Sequence, residues 1–171
     1  LLEAFYDETG IEVRTVVRGT GAILQLGRSG DFDVVLVHHP DAEKSFVADG
    51  DGIARHPVMT SRFLIVGPSD DPANVRSAPD AARALARIAD GAYTFTESGS
   101  WTNFANRGDL TILFEGGPHL ANPYAIIPIN PERHPHVAAQ AAERLVDWLT
   151  GPVGQSFIAD YRLDGEPPFA P

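Results

Sequence analysis

Between residues 11 and 37 the hydrophobic period of the chain changes from that of a strand to that of a helix and back, which commits it to packing helices on a sheet. Ile11, Val13, Thr15 and Val17 alternate with Glu12, Arg14 and Val16, the pattern of a half-buried strand. Arg18-Gly19-Thr20-Gly21 turns the chain, and Ile23, Leu24 and Leu26 start a short helix that stops around Gly27 to Gly30. Asp33-Val34-Val35-Leu36-Val37 is continuously apolar after its first residue, which predicts a strand covered on both faces in a parallel sheet.

The same order continues on both sides. Leu1, Leu2, Phe5 and Tyr6 with Gly10 behind them predict the end of an amphipathic helix closed by a glycine cap. Downstream the spacing predicts a helix over 40–49 and an extended stretch over 53–68, with Phe63-Leu64-Ile65-Val66 its most apolar part. A helix over 79–89 would carry Ala81, Leu85 and Ile88 on one face, before a strand over 92–96. Ser98-Gly99-Ser100 is expected to cap a helix over 101–106, and strands over 111–114 and 125–129 follow. Pro128 in the last of these favours an edge position or a crossing between lobes. Helices over 135–149, with Val137, Ala141, Leu145, Trp148 and Leu149 inward, and over 152–160 close an α/β order without internal repeats.

Composition narrows the function. Thirteen Lys+Arg against 23 Asp+Glu give a net charge of −10, which argues against nucleic acid as a partner, because a phosphate backbone is gripped by clustered cations. With 43% hydrophobic residues in 171, the chain can build one sizeable core or two small lobes. The absence of Cys removes disulfides, thiolate zinc sites and thiol nucleophiles. No apolar run approaches the ~18 residues of a spanning helix. The start at Leu1, without a signal-peptide pattern, reads as a processed or trimmed chain.

Among candidate sites, Arg18-Gly19-Thr20-Gly21 is the strongest. Backbone N–H groups at a helix start point outward with the positive end of the helix dipole behind them, and a Thr hydroxyl adds a donor; together they make an anion site. The same pattern also serves as a tight turn with Thr20 as helix cap, and on pattern alone that is the commoner outcome. It lacks the spacing and Lys of a phosphate-binding loop and is too short for a dinucleotide fingerprint. Among His38, His39, His56, His119, His134 and His136, the adjacent His38-His39 at a strand end point to opposite sides and His134-x-His136 has no carboxylate partner at metal-ligand spacing, so no metal or other cofactor is expected. Ser98-Gly99-Ser100 is not a nucleophile elbow, and no residue set supports an enzyme. Asp31, Asp33, Asp49, Asp51, Asp70 and Asp71 read as loop stabilisers. Trp148, Leu145 and Leu149 read as core, and Trp101 as core or as the wall of a cleft.

Several ordered stretches resemble one family: Phe5-Tyr6-Asp7-Glu8-Thr9-Gly10-Ile11-Glu12-Val13, Gly19-Thr20-Gly21-Ala22, Gly30-Asp31-Phe32-Asp33-Val34-Val35-Leu36-Val37-His38 and Phe63-Leu64-Ile65-Val66-Gly67-Pro68-Ser69-Asp70-Asp71-Pro72-Ala73. Ala92-Tyr93-Thr94-Phe95-Thr96, Asn122-Pro123-Tyr124, Asn130-Pro131-Glu132-Arg133-His134-Pro135-His136-Val137 and Asp147-Trp148-Leu149-Thr150-Gly151-Pro152 continue the series. Together they resemble the substrate-binding component of tungstate ABC transporters, in the type II periplasmic binding protein class. The resemblance implies an α/β clam with residues 1–66 and 125–171 as lobe 1 and residues 67–124 as a reduced lobe 2 with crossover segments at its ends. It also implies an oxyanion, tungstate or molybdate, held without catalysis by Gly19, Thr20, Gly21 and Ala22. Thr20 would then be the side-chain donor, with Gly21 and Ala22 giving N–H groups.

By the same resemblance the partner is an ABC transporter permease, and the location periplasmic or extracellular, lipid- or membrane-tethered in the parent protein. A strand ending in a Thr/Ser-rich loop is expected ahead of Leu1. The opening of the second lobe, with Arg or Asp near Ser-Gly-Thr, is expected between Ala89 and Ala92, where only Asp90-Gly91 stands. A homodimer would be one way to complete so short a lobe. The alternative is a ligand-sensing or protein-interaction module of the same fold that has lost part of the anion site.

Overall fold

A computed structural model describes residues 1–88, 93–105 and 107–171. It divides into two compact units, residues 1–59 with 123–160 and Pro171, and residues 60–122 with 161–170. The expected shortening at Asp90-Gly91 lies outside the described residues.

In the first unit, α1 (Leu2–Thr9) ends as its sequence predicts, with Gly10 in the left-handed region at φ 69° and its N–H bonded to the Tyr6 carbonyl. Phe5 of α1 is fully buried, edge-on to Trp148 at 5.6 Å. α2 (Thr20–Arg28) packs Ile23 and Leu24 onto β1 (Val34–Val37), and α3 (Pro40–Ala48) adds Phe46 to the same core. β5 (Ala121–Pro128) enters this unit from Pro123 onward and supplies Ile127, with Ile129 just beyond. α6 (Ala139–Thr150) buries Ala142, Leu145, Val146, Trp148 and Leu149, one stripe of a helix, and α7 (Pro152–Asp160) packs against it.

Two expectations fail here. Residues 11–17 form no strand: the segment is irregular, and among the described residues its backbone makes no ladder bond, although the alternation is present. A strand is a pairing, so period two without a neighbour leaves Val17 at 83% exposure. β1 is also not a doubly covered parallel strand. It runs antiparallel to β5, with Val34 opposite Pro128 and Val37 opposite Ala125, and Leu36 stays 45% exposed on its uncovered face.

The doubly covered strand is β2 (His56–Pro68), whose part from Thr60 onward is the centre of the second unit. It pairs antiparallel with β3 (Thr94–Glu97) and with β4 (Leu110–Glu115). Alternation along β2 sends Ile65 into a cluster with Val75, Ala78, Ala84 and Leu113, and Leu64 and Val66 into another with Trp101. This explains the unbroken apolar run at 63–66. Above it, α4 (Ala81–Ala86) buries Ala81 and Ala84, whereas Leu85, expected inward, is 46% exposed. With only six residues, α4 offers the core two alanines and no longer stripe.

α5 (Ser98–Asn103) starts earlier than predicted because the Glu97 carboxylate, not Ser98, accepts from Ser100 N–H at 3.1 Å. The Ser98 hydroxyl instead donates to the Pro168 carbonyl at 3.0 Å. Thr60 and Ala170 exchange backbone bonds of 2.7 and 2.8 Å, so residues 161–170 belong to the second unit. A further buried pair, Asn122 Nδ2 to Ser61 Oγ at 3.0 Å, ties β5 to β2 within it.

Candidate anion site at the start of a helix

Gly19 precedes α2 at φ −63°, ψ 150°, and no side chain caps the helix. Its first internal bond is Ile23 N–H to the Gly19 carbonyl at 3.1 Å, so the N–H groups of Thr20, Gly21 and Ala22 have no acceptor within the helix. Gly19, Gly21 and Ala22 are exposed, and Thr20 is half-buried. Nothing lies within 4 Å of where a Cβ would stand at Gly19 or Gly21, so the turn is open on its side-chain face. Fixed donors and about half a positive charge from the helix dipole therefore converge at one exposed turn. Arg18 adds a cation beside it, its guanidinium donating to the Val17 carbonyl at 2.7 Å.

Three other helices carry side-chain caps at their starts, whereas α1 and α6 have none. At α3 the His39 imidazole accepts from Ala42 N–H, while the buried Glu43 carboxylate reaches back to His39 N–H at 2.6 Å and pairs with Arg55 through its other oxygen. At α4 the Asp80 carboxylate accepts from Arg83 N–H at 2.8 Å, and α5 has Glu97. At α2, as at α1 and α6, no side chain caps the start.

What holds the turn in position is Gly27, in the third turn of α2. A Cβ there would stand 3.0 Å from Phe46, 3.1 Å from Ile129 and 3.3 Å from Val35, so a larger residue would have to push three core side chains aside for the helix to sit this close to the strand. The seat of Gly27 on Val35 and the short connection over 29–33 fix α2 antiparallel to β1. Thr20 therefore lies toward the end of the unit where β1 stops. The His38 ring packs against Tyr124 at 4.7 Å between centroids. In the sequence His38 stands out as one of six histidines and within a resembling stretch, and Tyr124 within a resembling stretch alone.

The other histidines do not gather there. His136 Nε2 lies 2.9 Å from the Gly30 carbonyl and His134 covers Gly30, at the far end of a helix about 13 Å long. Among the described residues, no group of three or more His, Cys, Asp or Glu side chains could hold a metal ion. Of the turn aspartates, Asp51 does more than shape a loop: 6% exposed, it accepts from Arg28 Nε at 3.0 Å and from Arg133. Trp148 is core and donates to Glu8 at 2.8 Å, and Trp101 is 8% exposed under the Arg107 guanidinium. A cavity of about 330 Å³ lies elsewhere, between Glu8, Arg144, Asp147 and Val153, and includes none of the residues of the turn.

The chain is similar to known proteins. A family model, the PBP superfamily domain, matches residues 1–95. The tungstate-binding protein TupA of Peptoclostridium acidaminophilum is 30% identical, over all of this chain and 79% of its own length. A putative ABC transporter anion-binding protein of Haloferax volcanii is 31% identical over 98% of the chain, which spans 65% of that relative. Among solved structures, the tungstate-binding protein TupA from Desulfovibrio alaskensis G20 superposes with a TM-score of 0.91 at 31% identity, covering 99% of this chain and 90% of that one.

Proposed function

The chain belongs to the PBP superfamily, in the family of the TupA tungstate-binding proteins, and on that premise we propose that it binds a tetrahedral oxyanion at Gly19, Thr20, Gly21 and Ala22 without transforming it. The observation that carries this reading is the start of α2: exposed N–H donors and a hydroxyl, with no protein group capping them. Tungstate or molybdate suits such a set. A site made of donors alone favours a fully deprotonated dianion over hydrogen phosphate, whose proton needs an acceptor. The net charge of −10 does not prevent this, because donors in contact outweigh diffuse charge screened beyond ~8 Å.

The family supports delivery of the anion to an ABC transporter permease, from the periplasmic or extracellular side, with a tether in the parent protein. We read the unit of 1–59 and 123–160 as lobe 1, which carries the helix-start donors, and the unit of 60–122 with 161–170 as a reduced lobe 2, so that 60–66 and 161–170 fall outside the lobe 1 expected from sequence. Titration calorimetry of the purified chain with tungstate, against sulfate and phosphate, tests the function. Selective binding of tungstate supports it. A folded chain that takes up none of the three refutes it and favours the sensing or interaction module.

A further inference from the structure

At the closing end of α1, where α6 hands over to α7, three charged side chains line the cavity of about 330 Å³, and we propose that it binds a small basic amino acid of the lysine class. Glu8 of α1 and Asp147 of α6 contribute two carboxylates, and Arg144 one guanidinium. Glu8 is held in place, its Oε2 accepting from Trp148 Nε1 at 2.8 Å. Among the described residues the side chains of Arg144 and Asp147 have no ion pair or hydrogen bond, although residues three apart on a helix are neighbours. A base and an acid that stand side by side without pairing leave both charges available to a ligand. Any residues ahead of Leu1 join α1 at its opposite end, eight residues or about 12 Å away.

Charge and shape select the occupant. Two carboxylates and one guanidinium complement a ligand with two cationic groups and one carboxylate, which is the charge pattern of lysine or ornithine. The backbone repeats that bias: the carboxyl ends of α1 and α6 and the amino end of α7 meet there, two negative dipole ends to one positive. Trp148, Pro152 and Val153 add an apolar wall for the ligand's methylene chain. The indole is already fixed by Phe5, edge-on at 5.6 Å, and by Phe157, stacked at 5.8 Å, so little side-chain freedom is lost on binding. The ligand's carboxylate would pair with Arg144, its α-ammonium with Asp147 on the same helix, and its far ammonium with Glu8. An inorganic oxyanion carries no cationic group for the two carboxylates, which separates this cavity in chemistry from the turn at Gly19 to Ala22.

The test is titration calorimetry of the intact chain with L-lysine, beside L-norleucine, which lacks the far ammonium, and cadaverine, which lacks the carboxylate. Saturable binding of lysine is expected, with each analogue about three- to fivefold weaker, the scale of one exposed ion pair. Glu8→Gln, Arg144→Gln and Asp147→Asn each remove one charge from an exposed side chain, and the first keeps an oxygen for the Trp148 bond. All three should fold, with circular dichroism as the check, and each should weaken lysine by a similar factor. Lysine that gives no saturable heat at concentrations up to ~10 mM overturns the proposal. So do analogues that bind as tightly as lysine, or folded variants that leave its affinity unchanged. The titrations are run without an oxyanion, so their outcome is independent of the binding proposed at the start of α2.

Discussion

Replacing Thr20 separates the contribution of its hydroxyl from that of its N–H without disturbing the helix. Among the described residues the Thr20 hydroxyl bonds to no protein group, and Ala is the better helix former, so Thr20→Ala should leave stability unchanged or slightly raised. If the hydroxyl holds the anion, the loss is one charge-assisted hydrogen bond, about 1.5–3 kcal/mol, or a fall in tungstate affinity of roughly 10- to 150-fold. Thr20→Pro takes the N–H as well. The first helical position is the one that best tolerates Pro, and Gly19 at φ −63°, ψ 150° already has the conformation required before it. The variant should therefore fold, with a melting temperature equal to or above that of the parent, and bind more weakly than Thr20→Ala by up to another ~1.5–3 kcal/mol. Calorimetry with tungstate gives both affinities, and thermal unfolding monitored by circular dichroism gives both stabilities. Affinities within about threefold of the parent for both variants, in folded protein, would refute Thr20 as a ligand and with it the reading of this turn as the site.

Asp51→Ala should lower stability by about 2 kcal/mol, seen as a fall in melting temperature, because two ion pairs are lost but Arg28 and Arg133 are half exposed and return to water. Glu43→Gln should cost more, about 3 kcal/mol, since the Glu43 side chain is fully buried between His39 N–H and Arg55, and urea titration should show a lower midpoint. Trp148→Phe removes the bond to Glu8 at 2.8 Å and should cost about 1–2 kcal/mol, with hydrogen exchange rising first in α1, which that bond ties to α6.

The α/β order was legible because period, caps and turn residues agree along most of the chain; the Gly10 cap and the α6 stripe are examples. What escaped was whatever depends on distant neighbours. The four residues of β1 and the run at 63–66 are equally apolar, yet β1 has one covered face and β2 has two, a difference set by which strands lie alongside. Residues 11–17 show period two and no ladder for the same reason. Leu85 was assigned inward from a helix predicted longer than the six residues of α4. Glu97 displaced Ser98 as a cap because the Ser98 hydroxyl was engaged by Pro168, seventy residues on. Of the candidate site, the helix start at Gly19 to Ala22 was visible in the sequence, since strand pattern, glycine turn and helix pattern follow one another there. The packing of His38 on Tyr124 was not, because a side chain 86 positions away meets the strand end only once β5 has paired with β1.

Gly27 sets the depth at which α2 rests on its strand: a Cβ there would stand 3.0–3.3 Å from three core side chains, so the helix lies closer to the sheet than a larger residue would let it without their yielding. The donors at its start are in effect a fixed ruler. On the proposed reading, selection between ions of slightly different radius must then come from groups outside this helix, and a change of specificity would leave Gly27 as it is.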